Sequence, residues 1–148
     1  MPTSPTLPDA ELLVRTYLDG VAAVTGLLDV DAQGNEPIYT VTPKPAPTGR
    51  FVRLFRLGGP PRARRGIDTA VIQVEAYGGT KAQARELAAE CSAALDDIED
   101  GSHADGSVSG SSSSSFRYLP DSDLMTARNA ARERYIATVD LTIRAART

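Results

Sequence analysis

The sequence contains very few of the side chains that usually perform chemistry in proteins. Its 148 residues include one cysteine, one histidine and no tryptophan. A single cysteine, Cys91, excludes an intrachain disulfide and favours a reducing cytoplasm. The histidine, His103, lies in a serine- and glycine-rich tract, whereas a catalytic histidine needs a rigid setting and an orienting partner. We therefore expect no enzyme activity, no metal site and no cofactor.

Long hydrophobic runs and an excess of positive charge are also missing. No segment approaches the roughly 20 apolar residues that cross a bilayer. Residues 1–8 carry three prolines instead of a basic start followed by an apolar stretch, so no secretory signal is expected. The formal net charge is -3 at pH 7, which argues against a surface that binds DNA as a whole. Because 41% of the residues are hydrophobic, a wholly disordered chain is excluded.

Two segments match known ligand-binding loops only in part. In "DVDAQGNEPIYT", Asp29, Asp31 and Gly34 match positions of a calcium loop, but Thr40 stands where the bidentate glutamate belongs. In "GGPPRARRG" (58–66), the Gly-Lys-Ser/Thr ending of a phosphate loop is missing, and the prolines remove amides that would bind phosphate. Neither segment predicts a ligand site.

Two long helices follow from the hydrophobic periodicity. Apolar residues from Ala10 to Val21 recur at helical spacing. A second helix begins at Thr80, a good N-cap with Gln83 three residues further on. Cys91 lies on the apolar stripe of this helix and is expected to be a buried thiol.

Strands are predicted where apolar and polar residues alternate. Residues 67–77 and 133–145 alternate well, and residues 50–57 carry apolar side chains on both faces, so both faces are expected to be covered. Segments 50–57 and 67–77 flank the Gly/Pro/Arg segment and predict a hairpin. The segment "DSDLMTARNAAR" (121–132) fits either a short helix or an irregular loop.

The order of these elements predicts an α+β fold. We expect an antiparallel sheet with an extended hairpin, two main helices packed on one face, and a chain that is the subunit of a ring. Residues 1–8 are interpreted as a flexible arm, and 9–148 as a single domain with a flexible Ser/Gly-rich insertion at 101–115. The helix-free face mixes polar and apolar side chains, which is typical of a subunit interface.

Charge is segregated along the chain. Arginines concentrate between residues 50 and 65, and acidic residues concentrate at the end of the second long helix. A basic patch that meets an acidic patch on a neighbouring copy would set the register of a head-to-tail contact. The candidate interface residues are Arg53, Arg56, Arg62, Arg64, Arg65, Tyr77, Asp96, Asp97, Glu99 and Asp100.

This succession of segments resembles the tail terminator proteins of long-tailed bacteriophages. The segments that carry the resemblance are "RLGGPPRARRG", "IDTAVIQVEAYGGTKAQARELAAE" and "RYIATVDLTIRA". The resemblance implies a virion protein, assembled in the host cytoplasm, that caps the tail tube as a homo-oligomeric, hexameric ring. Such a ring ends tube polymerisation and joins the tail to the head-side connector, while DNA passes through its channel without being read. The implied partners are other copies of the chain, the tail tube protein and the connector protein.

Two alternatives remain open from the sequence. One is a head-completion or connector ring protein of the phage neck. The other is a small nucleic-acid-binding protein that uses the arginine-rich segment, although that segment has no interleaved aromatic residues for base stacking.

Overall fold

The computed structural model describes residues 9–30, 34, 36–43, 46–57, 67–98, 102–103, 106–125 and 130–145. Three helices lie in these residues: α1 (Ala10–Asp19), α2 (Ala22–Thr25) and α3 (Lys81–Asp96). The strands are β1 (Ile38–Tyr39), β2 (Phe51–Leu57), β3 (Ile67–Gly78), β4 (Ser102–His103), β5 (Gly106–Ser113), β6 (Arg117–Tyr118), β7 (Asp121–Met125) and β8 (Ala131–Ala145).

The centre of the sheet is formed by β2, β3 and β8. β2 and β3 pair antiparallel with Phe51 opposite Tyr77, which confirms the predicted hairpin pairing. β3 pairs antiparallel with β8 along its whole length, from Ile67 opposite Arg144 to Gly78 opposite Glu133. The sheet order is β1-β2-β3-β8-β5-β4, with β6 and β7 also paired to β8.

The sheet is mixed, and the prediction of a purely antiparallel sheet is wrong at one edge. β1 pairs parallel to β2, with Ile38 opposite Val52. A connection that ends at Arg50 separates β1 from β2. This connection allows the chain to enter β2 in the same direction as β1, which parallel pairing requires. Arg15 on α1 stabilises β1 by donating a hydrogen bond from Nε to the carbonyl oxygen of Ile38, at 2.8 Å.

Both long helices cover the same face of the sheet, as predicted. Their apolar stripes and the inward residues of the central strands form one buried core. Cys91 is part of that core. Thr80 caps α3 by accepting a hydrogen bond from the Gln83 amide at 3.2 Å, and Gln83 accepts from the Gly79 amide at 3.0 Å. No helix among the residues described here is long and apolar enough to cross a membrane.

Gly78 marks the point where the chain turns from β3 into α3. A Cβ at this position would lie 2.5 Å from the backbone nitrogen of Ala84. Any side chain would therefore push the first turn of α3 away from the end of β3.

The Ser/Gly-rich tract contributes a strand to the sheet. Gly106–Ser113 forms β5 and pairs antiparallel with β8, with a register irregularity between Val108 and Gly110. β8 is 15 residues long. One edge of β8 pairs with β3, and the other edge pairs with strands that follow α3 in the chain. Backbone groups make these hydrogen bonds, so a tract with weak side-chain preferences can still form a strand.

The segment that sequence left open between helix and loop contains a strand. Asp121–Met125 forms β7 and pairs with β8 at Asp121 opposite Arg132 and Met125 opposite Ala131, with an irregular register between these pairs. Residues 126–129 lie outside the described part of the chain. Backbone pairing with the edge of β8 favours the strand conformation of Asp121–Met125 over a helix.

Candidate functional site

Five of the ten candidate interface residues lie in the described part of the chain. The other five, which lie outside it, are Arg62, Arg64, Arg65, Glu99 and Asp100. The described five separate into an exposed pair at the end of α3 and three residues that contact other parts of their own chain. The exposed pair is Asp96 and Asp97; the three are Arg53, Arg56 and Tyr77.

The face of the sheet that the helices leave uncovered, called here the second face, has two different ends. At one end Glu75 and Tyr77 of β3 are completely buried. At the other end Thr69 is exposed, and Val71 and Gln73 are partly exposed. The mixed composition that the sequence predicted for this face therefore reflects two regions with different surroundings.

The buried end contains a cluster of charged residues, called here the ionic cluster. It comprises Arg53 of β2, Glu75 and Tyr77 of β3, Asp121 of β7 and Arg134 of β8. The sheet register brings the first residues together, since Arg53 lies opposite Glu75 and Tyr77 lies opposite Arg134. Directly opposed and diagonal side chains on one face of a sheet are close enough to interact.

Glu75 is the centre of the ionic cluster. Its Oε1 accepts from Arg53 Nε at 2.8 Å and its Oε2 accepts from Arg53 Nη2 at 3.1 Å, which is a bidentate pair. Oε2 also accepts from Arg134 Nη1 and, at 3.3 Å, from the Tyr77 hydroxyl. A fully buried carboxylate is tolerated because charged donors satisfy both of its oxygens.

Asp121 completes the cluster from β7. Its Oδ2 accepts from the Tyr77 hydroxyl at 2.5 Å and lies 3.5 Å from Arg53 Nη2 and 3.4 Å from Arg134 Nη1. Burial, followed by this hydrogen bond to Asp121, raises the pKa of Tyr77 well above its ordinary value. Tyr77 is therefore a neutral hydrogen-bond donor at neutral pH.

Aromatic stacking and one further arginine close this end of the sheet. The rings of Phe51 and Tyr77 stack at 4.3 Å between centroids with 5° between their planes. Arg132 donates to the carbonyl oxygens of Thr48 and Gly49, both at 2.7 Å, and its guanidinium lies 5.7 Å from the Phe51 ring centre. The apolar residues on both faces of 50–57 predicted that both faces of this strand are covered. At the buried end of the second face this prediction is confirmed, since Phe51 and Val52 are both buried.

Tyr77 and the two described arginines all contact residues of their own chain. Tyr77 is buried within its own chain and offers no surface to another copy. Arg53 pairs with Glu75, while Arg56 makes a bidentate pair with Asp68 at 2.6 and 2.8 Å. The hydrogen bonds that Arg56 donates to the Asp68 carboxylate raise the pKa of Arg56 above its ordinary value. The alternation of strand residues could not show that these arginines have buried carboxylate partners on β3.

The sequence did not indicate that the buried end of the second face would contain Glu75, Asp121, Arg132 and Arg134. Glu75 and Arg134 stand on predicted strands, so the one available signal was a charged residue within an otherwise alternating strand. Asp121 and Arg132 lay in the segment of undecided conformation. Their proximity depends on strand register, which the sequence did not specify.

The acidic end of α3 is the described part of the predicted acidic patch. Asp96 and Asp97 are exposed. Asp96 accepts a hydrogen bond from the Ser113 hydroxyl of β5 at 3.2 Å. This end of α3 thus lies beside β5, which is separated from β2 by β8 and β3 in the sheet order.

The open end of the second face carries a shallow cleft with a volume of about 250 Å³. Hydroxyl, amide and apolar groups line it together, with a single arginine; the lining residues are Gln73, Ser114, Ser115, Arg117, Ile136, Ala137 and Thr138. No group of three or more histidine, cysteine or acidic residues in the described ranges is arranged to hold a metal ion.

Comparisons with known proteins found likeness at the level of structure. No protein-family model and no curated protein matches the sequence. Among solved structures, a chain from "Virion of native gene transfer agent (GTA) particle" is similar, with a TM-score of 0.48 and 22% identity. The likeness covers 92% of this chain and 92% of that chain. A likeness at this level does not assign a function.

Proposed function

We propose that the chain is a structural virion protein, a tail terminator that forms a homo-oligomeric, hexameric ring at the end of a phage tail tube. The ring stops tube polymerisation and joins the tail to the head-side connector, and DNA passes through it without sequence-specific binding. The protein acts by assembly and not by catalysis. The resemblance of the segments around β2, β3, α3 and β8 to tail terminators supports this proposal.

The observation that carries the proposal is that the basic segment and the acidic end of α3 adjoin different strands of one sheet. The arginine-rich segment connects β2 to β3, whereas the exposed acidic end of α3 contacts β5. β3 and β8 separate β2 from β5. A head-to-tail ring needs two different, complementary patches on each subunit, and patches of opposite charge meet that requirement.

In this proposal the basic patch that meets the neighbouring copy is formed by Arg62, Arg64 and Arg65. The pairing of Arg53 with Glu75 and of Arg56 with Asp68 supports this choice, because the charges of these two arginines are balanced within their own chain. The acidic patch comprises Asp96 and Asp97, together with Glu99 and Asp100 in sequence. Negative charges at the C-terminal end of a helix oppose the helix dipole, and arginines from a neighbouring copy would offset this cost.

Charge reversal tests the basic patch. A variant with Arg62, Arg64 and Arg65 changed to Glu should fold normally but lose ring formation, because it places like charges against the acidic end of α3 on the neighbour. Sedimentation velocity with and without tail tube protein, followed by electron microscopy, measures assembly. The matched control changes the exposed Lys81, Arg85 and Arg117 to Glu, which alters net charge by the same amount.

The outcomes separate the proposal from its alternatives. Loss of assembly in the loop variant but not in the control supports the proposed contact, while intact assembly in both contradicts it. Co-purification of the wild-type protein with filled heads instead of tubes would identify a connector ring. DNA affinity that falls steeply with salt would identify a nucleic-acid-binding protein.

A further inference from the structure

The two edges of the sheet are covered to different degrees. Along the β2 edge, β1 pairs with the first part of the strand, and Glu11 of α1 accepts a hydrogen bond from the Arg56 amide at 3.2 Å. Along the β5 edge, β4 pairs only with the first two residues of the strand. From Val108 to Ser113, no strand in the described residues pairs with the side of β5 that faces away from β8. One edge of the sheet is therefore closed by its own chain, and the other is left open.

The open β5 edge also lacks the side chains that keep sheet edges from pairing with another chain. Edge strands commonly carry charged residues or prolines for this purpose. The sequence of β5 is "GSVSGSSS", which contains neither. A register irregularity lies between Val108 and Gly110, and beyond it Gly110–Ser113 forms a regular stretch, called here the free edge. Because its side chains are small, another backbone can approach the free edge to the spacing of paired strands, about 4.8 Å.

Strand register places the free edge at the same end of the sheet as the start of α1. Ser113 lies opposite Val139 of β8, which lies opposite Ile72 of β3. Ile72 lies opposite Arg56 of β2, the residue whose amide donates to Glu11 in the first turn of α1. The free edge and the first turn of α1 are therefore level with each other, on opposite sides of the sheet.

The segment 1–8 precedes α1 and lies outside the described part of the chain. The sheet order β1-β2-β3-β8-β5-β4 sets its two outer positions five strand spacings apart, about 24 Å. Eight extended residues span about 26 Å, so this segment cannot both cross its own sheet and pair with its own free edge. In the proposed ring, the basic segment after β2 of one copy meets the acidic end of α3, beside β5, of the next. Segment 1–8 of the first copy then starts beside the free edge of its neighbour.

We propose that residues 1–8 of one copy dock as an additional β-strand on the free edge of the next copy, an inference that rests on the ring proposed above. The sequence "MPTSPTLP" fits this role in one orientation. Alternate residues of a strand direct their amides to opposite sides, and a proline is tolerated where its side faces solvent. With Pro5 facing solvent, the amides of Ser4 and Thr6 face the free edge. The docked strand supplies hydrogen-bond partners for backbone groups of β5 in the neighbour.

Two proline substitutions that differ only in position test the docked strand. Thr6→Pro removes an amide that faces the free edge, whereas Thr3→Pro removes an amide on the opposite side, and each places a second proline after an existing one. Hydrogen exchange with mass spectrometry compares the peptide that covers 106–113 in assembled and unassembled protein. We expect assembly to protect this peptide in the wild type and in Thr3→Pro but not in Thr6→Pro. The loss of one hydrogen bond at each contact should also weaken assembly of Thr6→Pro about fivefold.

A synthetic peptide tests the free edge without the ring. The peptide has the sequence of residues 1–8, is blocked at both ends, and is added in excess to the full wild-type chain at a concentration at which the chain is unassembled. We expect exchange of 106–113 to slow as the peptide concentration rises. The peptide with Thr3→Pro should have the same effect, and the peptide with Thr6→Pro should have none.

The outcomes separate this inference from the proposed function. Equal exchange of 106–113 in rings of Thr6→Pro and Thr3→Pro would refute the docked strand and leave the ring standing. Loss of rings in Thr6→Pro alone would support the docked strand. Protection by the peptide in a chain that never forms rings would support the free edge as a docking site and contradict the proposed function. No protection at millimolar peptide would overturn the docking site.

Discussion

Removing the charge of Glu75 is the most direct test of how the second face is held together. The substitution Glu75→Gln keeps the shape of the side chain but leaves Arg53 and Arg134 with Asp121 as their one counter-charge in the ionic cluster. Removing one partner of a buried ion pair costs about 3–5 kcal/mol. The arginine side chains are 21% and 13% exposed, so water reduces the penalty and we expect about 3 kcal/mol.

Urea unfolding followed by circular dichroism measures this loss. The midpoint should fall while the slope stays unchanged, because the same surface is exposed on unfolding. For a chain of this size the loss corresponds to a decrease in Tm of roughly 6–12 °C. The control is Glu86→Gln, the same chemical change at an exposed position of α3, which should shift stability by no more than about 0.5 kcal/mol.

A companion variant tests the cause of the loss. Glu75→Gln combined with Arg134→Met removes the excess positive charge together with the carboxylate, so the double variant should recover part of the stability lost in the single one. A Glu75→Gln protein within about 1 kcal/mol of wild type would refute the reasoning, since the carboxylate would then contribute little to the closed end of the sheet.

Three further predictions concern local features. Thr80→Ala removes the cap of α3 and should cost about 1 kcal/mol in urea unfolding, whereas Thr80→Ser should retain most of the stability; equal losses would contradict the cap. Burial, with a smaller effect of Glu90, raises the pKa of Cys91 to about 12, so its thiol should resist a disulfide reagent at pH 8 until urea unfolds the protein, and rapid reaction of the folded protein would contradict its burial. The hydrogen bond from the Arg50 amide lowers the pKa of Asp29, so its stabilising effect is present above the unfolded pKa of about 3.9 and disappears as pH falls through the folded pKa. Asp29→Asn should therefore differ from wild type at pH 6 and converge with it at pH 2, and an equal difference at both pH values would contradict this.

The helices and strands that short local sequence patterns specify were predictable. The cap at Thr80 and the apolar stripe behind it specify α3, and the alternation of 67–77 and 133–145 specifies β3 and β8. In these segments a short stretch of residues determines both the backbone conformation and the buried side. The α+β class followed from their order.

Elements that depend on a neighbour were not predictable. The serines of β5 have no strand pattern of their own, and they form a strand because the long edge of β8 satisfies their backbone groups. β7 forms at the same edge for the same reason. The contacts of Arg53 and Tyr77 were not predictable either, because residues far away in sequence, such as Asp121, lie within hydrogen-bonding distance of them.

By itself, the sequence determined which segments become the main helices and central strands, and which face of the sheet the helices cover. Periodicity and capping act over a few neighbouring residues, and a single sequence displays them directly. Only the tertiary structure decided which charges are available at the surface, since the register of β2, β3 and β8 pairs two of the conspicuous arginines with buried carboxylates. Register depends on contacts between distant segments, and a shift of one residue would place these side chains on the other face.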